Sequence, residues 1–120
     1  MLNGRPALIV EEEFLIALDL QRMLESLGVG ETLFARNAEE ARRLTAQRAD
    51  IAIAIVELRI DQPENHALAG ELRAKAVPMV AMTSDTRLPT RTPEDAPVLR
   101  KPIPEEALAS AVRTALAGSR

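Results

Sequence analysis

Two hydrophobic periods alternate along this chain, one of strands and one of helices. Ala7 to Val10 is a short apolar run broken off by three glutamates, the pattern of a strand buried on both faces with a polar exit (β1). From Phe14 to Leu27, Ile16, Leu20, Met23 and Leu27 recur at helical spacing with Ala17 and Leu24 beside them, and Gly28 offers a left-handed stop (α1). Thr32 to Ala35 reads as β2. Asn37 with Glu40 three residues later makes an N-cap and capping-box pair for a helix running to Arg48 (α2). Ile51 to Val56, almost wholly apolar and β-branched at alternate positions, predicts a central strand ending on Glu57 (β3). Ala67 to Ala76 can form α3 with Leu68 and Leu72 inward, and Val77 to Met82 reads as β4, followed by Thr83 and Ser84.

Between Ser84 and Pro97 the alternation fails. Pro89, Pro93 and Pro97 leave room for a short helix at most, because proline lacks a donor and clashes with the preceding turn. Val98 to Arg100 is then a brief β5, and Glu105 to Ala117 carries Leu108, Ala111, Val112, Ala115 and Leu116 on one helical stripe. Strands alternating with helices imply right-handed crossovers. The expected fold is therefore α/β and flavodoxin-like: a doubly wound, parallel five-stranded sheet of order 2-1-3-4-5, helices on both faces, and the fourth crossover helix short or absent.

With 120 residues, 47% hydrophobic and 28% charged, the chain has the size and composition of one globular domain, residues 1–120. Fifteen basic against eighteen acidic residues, with the basic ones scattered, argue against nucleic acid as a partner. The absence of cysteine excludes disulfides and thiolate metal sites and agrees with a reducing compartment. No signal segment or membrane span is visible, so the expected location is the cytoplasm. Only Phe14 and Phe34 are aromatic, which leaves a core of Leu, Ile, Val, Ala and Met, with Met79 and Met82 assigned to it.

In an open doubly wound sheet, sites form outside the carboxyl ends of the strands, at the switch point between β1 and β3. Glu11 and Glu12 leave β1, Glu57 leaves β3, Thr83 and Ser84 leave β4, and Lys101 leaves β5. Four strands thus deliver three carboxylates, hydroxyls and one ammonium to one rim. Glu13 is expected on the surface of α1. Asp50, at the far end of β3, and Asp61, in the following loop, lie out of reach of the rim, and His66 is expected in a loop. No glycine-rich phosphate loop and no nucleophile beside a base is visible, so no enzyme is expected.

With those residues in place, the chain resembles the receiver domains of two-component response regulators. The segments carrying the resemblance are "ALIVEEEFLIALDLQRMLESLG" with its acidic pair Glu11 and Glu12, "VPMVAMTS" with Thr83, and "VLRKPI" with Lys101 and Pro102. The proline-rich fourth crossover and the "FLIALDL" wording resemble a short-helix group of receivers in bacterial stress signalling, from whose usual aromatic-containing β4 end "VAMTSD" departs.

The resemblance implies a metal position, Mg²⁺, at Glu11, Glu12 and the residue ending β3. It implies phosphoryl acceptance by that last residue, phosphate contact by Lys101 before Pro102, and a mobile hydroxyl at Thr83. In such chemistry, positioning and charge neutralisation supply most of the rate. Here the acceptor position is Glu57. Its carboxylate sits one methylene further out, into the volume a phosphoryl group would fill. Glu12, where the family usually has aspartate, is displaced in the same sense, against the strict octahedral geometry of Mg²⁺.

The expectation is a degenerate, stand-alone receiver, a pseudo-receiver that acts by protein–protein contact without being phosphorylated. The alternative is a phosphoryl-accepting receiver whose aspartate was exchanged for Glu57 as a phosphomimic. The expected partner is a protein, a histidine kinase or a downstream regulator. It would dock on the face of the shortened crossover, β5 and the last helix, or on α1. The shortened crossover would uncover part of the sheet edge, a docking or homodimer surface.

Overall fold

A computed structural model describes residues 1–93 and 95–118 of the chain. Its elements in order are β1 (Ala7–Val10), α1 (Phe14–Glu25), β2 (Thr32–Ala35), α2 (Ala38–Thr45), β3 (Ile53–Glu57), α3 (Pro63–Ala74), β4 (Met79–Thr83), β5 (Val98–Arg100) and α4 (Glu105–Ala117). All strand pairs are parallel and the order is β2-β1-β3-β4-β5, the flavodoxin-like arrangement expected from the alternation.

Because strand side chains alternate between faces, β1 and β3 feed two cores at once. Leu8, Val10, Ala54 and Val56 pack with Ala41 of α2 and with Leu68 and Leu72 of α3. Ala7, Ile9, Ile53 and Ile55 face the other way, against Leu20 and Leu24 of α1 and Leu108 and Val112 of α4. Every residue of β1, β3 and β4 is buried, which is why these strands read as continuous apolar runs.

The Asn37 cap of α2 forms as the sequence predicts, whereas Glu40 reaches one residue past the cap. Asn37 accepts the Glu40 N–H at 2.8 Å, while the Glu40 carboxylate reaches back to the Arg36 N–H at 2.8 Å. Helix α1 stops three residues before Gly28, which adopts φ +88° and lets its N–H close on the Glu25 carbonyl. At its other end, α2 stops short of the predicted Arg48 and closes with the Thr45 hydroxyl donating to the Ala41 carbonyl.

Both predicted ends of α3 are corrected as well. Helix α3 begins four residues earlier than predicted, at Pro63, since proline is suited to the first helical position, so His66 lies in the helix and not in a loop. It ends at Ala74 because Ala76 takes the left-handed conformation (φ +59°) without a glycine to announce it, and the Val77 N–H is drawn back to the Leu72 carbonyl.

Among the described residues no helix lies between β4 and β5. The edge of β5 is nevertheless not bare. Thr90 accepts the Val98 N–H at 2.9 Å and Arg91 bridges Pro97. The Arg100 guanidinium donates to the carbonyls of Asp85, Thr86 and Leu88, and Leu88 packs on the core. The loop covers the edge that its sequence suggested would be open.

Candidate functional site

The carboxyl ends of β1 and β3 lie side by side and that of β5 lies beyond β4, all on one rim of the sheet, and together they bring three charged groups into contact. The Lys101 ammonium donates to both oxygens of Glu11, at 3.1 and 2.8 Å, and to Glu57 Oε2 at 2.7 Å. The side chains are nearly sealed from solvent, with 1% of Glu11, 7% of Glu57 and 12% of Lys101 exposed. An ammonium has three donors, and here all three are spent on carboxylate oxygens.

Burial pushes the Glu11 carboxyl above its ordinary range. The Lys101 bond opposes that shift, and the negative charge of Glu57 adds to it. For Lys101, burial lowers the ammonium's pKa, but the bonds to Glu11 and Glu57 outweigh it and the net shift is upward. Two carboxylates against one cation leave an excess of negative charge in a dry site, and the raised Glu11 is its physical consequence.

Glu12 does not join this group. Its carboxylate is exposed and faces Arg59, whose guanidinium stands 3.4 Å away. The three carboxylates predicted to converge are therefore two, and the third belongs to a pair at the rim. Glu13 is exposed at the N-cap position of α1, where its side chain makes no capping bond, and its N–H donates to Glu11 Oε1 at 3.3 Å.

Solved structures decide the fold family. A signal receiver domain of an HD domain-containing protein from Pseudomonas fluorescens Pf-5 aligns over 98% of this chain and 90% of its own, at 24% identity and a TM-score of 0.80. The signal receiver domain of a signal transduction histidine kinase from Syntrophus aciditrophicus aligns over 95% and 91%, at 25% identity and a TM-score of 0.73. A mutant of the anti-anti-sigma factor PhyR from Bartonella quintana aligns over 94% of this chain and 48% of its own, at 25% identity and a TM-score of 0.75. This chain has the receiver fold. No family model matches it, and no curated protein does.

Receiver domains generally bind Mg²⁺ at the phosphorylation site. In this receiver fold the donor set does not suit the ion: Lys101 already occupies Glu11 and Glu57, and Arg59 faces Glu12. Among the described residues no three acidic or histidine side chains converge as metal ligands. Pro102 follows Lys101 on the outer side, where both line a groove against α1.

Thr83 is fully buried, and its hydroxyl oxygen accepts the Asp85 N–H at 2.9 Å. Its carbonyl takes the Lys101 N–H at 2.9 Å, so the two positions are joined through the backbone.

Three residues not predicted to matter hold the surroundings. Buried Asn65 donates to the Glu57 carbonyl at 2.8 Å and fixes the end of β3. Asp85, brought to about 2 chiefly by Arg87, accepts the Arg87 N–H at 3.0 Å and holds the Arg87 guanidinium, and its carbonyl accepts from Arg100, which ties the loop after β4 to β5. Arg59 neutralises Glu12. Pro63 at the helix start was the one signal that could have placed Asn65 inward, two positions into α3.

Proposed function

We propose that this chain is a two-component signalling module that works by contact with a protein partner and is not switched by phosphorylation, Glu57 standing at the acceptor position. The observation behind this reading is the 2.7 Å bond from Lys101 to Glu57. In a phosphorylated receiver the lysine would engage phosphoryl oxygens; here the longer glutamate reaches the ammonium itself. With every donor of Lys101 taken and Mg²⁺ poorly served, neither cation of the transfer chemistry is free to neutralise an incoming phosphoryl group. The carboxylate replaces part of what phosphate would supply and biases the domain toward one conformation. The alignment with receiver domains of signalling proteins supports the module's class. No helix among the described residues is long and apolar enough to cross a membrane.

Incubation with acetyl phosphate and Mg²⁺, followed by intact-mass analysis, is expected to leave the chain unmodified. An acid-labile, Mg²⁺-dependent adduct would overturn the reading. Glu57→Asp tests the rival in which Glu57 stands in for an aspartate as a phosphomimic: rapid phosphorylation of that variant, with partner binding gained only then, would favour it.

A further inference from the structure

The outward face of α1 carries a feature that neither core uses. Phe14, Leu15 and Leu18 are exposed, Leu15 to 81%, although α1 already buries Ala17, Leu20 and Leu24. Leu15, Leu18, Asp19 and Arg22 follow one another at i, i+3, i+4 and i+7, so they form one ridge pointing to solvent. The ridge itself lines a groove of about 800 Å³ that also takes in Ile16, Met23, Pro102 and Ile103.

We propose that α1 is a self-association surface, on which a second copy of this chain docks with its α1 antiparallel, each ridge lying in the other's groove. Ridge and groove share one face, which is what a two-fold, self-complementary interface requires. Charge selects the same occupant. The face carries both signs: Asp19 and Arg22 are paired with each other within the helix, and Glu25 stands one turn beyond Arg22 in the same groove. A partner helix of single sign would meet one like charge whichever way it lay. In the antiparallel copy, Arg22 comes opposite the second Asp19 and the second Arg22 opposite the first Asp19. A 12-residue helix spans only about 18 Å, so the contact falls at the small, reversible end of interface sizes. The groove includes Lys101 and Pro102, so the second copy would lie over the outer wall of the charged site.

Sedimentation equilibrium of the full chain from micromolar to millimolar concentration is expected to show a reversible dimer. Leu15→Glu should weaken it by about tenfold or more while leaving the circular dichroism unchanged, because Leu15 buries little in the monomer. Arg22→Asp should weaken it too, and adding Asp19→Arg to that variant should restore it, since the exchanged pair still meets its complement. Leu44→Glu, on α2, should change nothing. A chain that stays monomeric to millimolar concentration, a dimer indifferent to Leu15→Glu, or a charge exchange that fails to rescue would each overturn the proposal.

Discussion

Two ion-pair clusters in this molecule have nearly the same bond lengths and opposite physical meanings. At the carboxyl ends of the strands, Lys101 meets Glu11 and Glu57 at 2.7 to 3.1 Å. Between α2 and α3, Arg42 grips Glu71 through two parallel bonds of 2.8 Å. The Arg42 and Glu71 side chains are 42% and 44% exposed, so water competes for each of them and salt screens the attraction. The first cluster is nearly shielded from solvent. There each charge depends on the others, and the third member tips the balance, since two anions share one cation. Distance alone would rank the two clusters as equals; burial separates them.

The sharpest way to test that contrast is to remove the shared cation. Lys101→Met leaves two buried carboxylates facing each other, and urea unfolding at neutral pH should show a loss of about 3–5 kcal/mol. A loss near that of an ordinary surface substitution would mean that the site is far wetter than its geometry.

The next test is titration. Because its folded pKa lies above the ordinary 4.5, Glu11 binds more protons folded than unfolded just above that pH. Its contribution to stability is therefore full below pH 4.5 and falls as pH rises through the folded value. Asp85 has the opposite sign: its contribution is present above 3.8 and is lost as pH falls toward about 2. Side-chain carboxyl NMR should place the Glu11 midpoint above 4.5, and Glu57→Gln should bring it down by removing one of the charges that raises it. A Glu11 midpoint below 4.5 would reverse the electrostatic account of the site. Lys101 adds an alkaline limb, since its raised pKa gives stability that is lost as pH climbs past 10.5.

The smallest effect belongs to the exposed pair. Arg42→Ala should cost several-fold less than Lys101→Met, and the difference from wild type should vanish when urea unfolding is repeated at high salt. Persistence in salt would mean that the α2–α3 contact carries more than its exposure allows.

Much of this was legible in the chain. Continuous apolar runs announced β1 and β3 as strands covered on both faces, the Asn37–Glu40 pair announced α2, and the proline spacing announced the loss of a helix after β4. The topology then forced Glu11, Glu57 and Lys101 toward one rim, because parallel strands joined by right-handed crossovers present all their carboxyl ends on the same edge. The start of α3 was missed because Pro63, in a polar stretch, precedes the apolar stripe. The end of α3 was missed because a left-handed alanine does the work usually left to glycine.

What the sequence determined by itself was the order and kind of the elements and which strand ends carry charge, since both follow from local periodicity and chain connectivity. Tertiary structure alone decided which charges meet. Neighbouring Glu11 and Glu12 look interchangeable in the chain, yet one is sealed against Lys101 and the other is turned out to Arg59. Adjacent residues at a strand exit point in different directions, and only the packed neighbours fix which direction is dry. The same holds for the edge of β5, closed by Thr90 and by the Arg100 guanidinium through hydrogen bonds that no local pattern encodes.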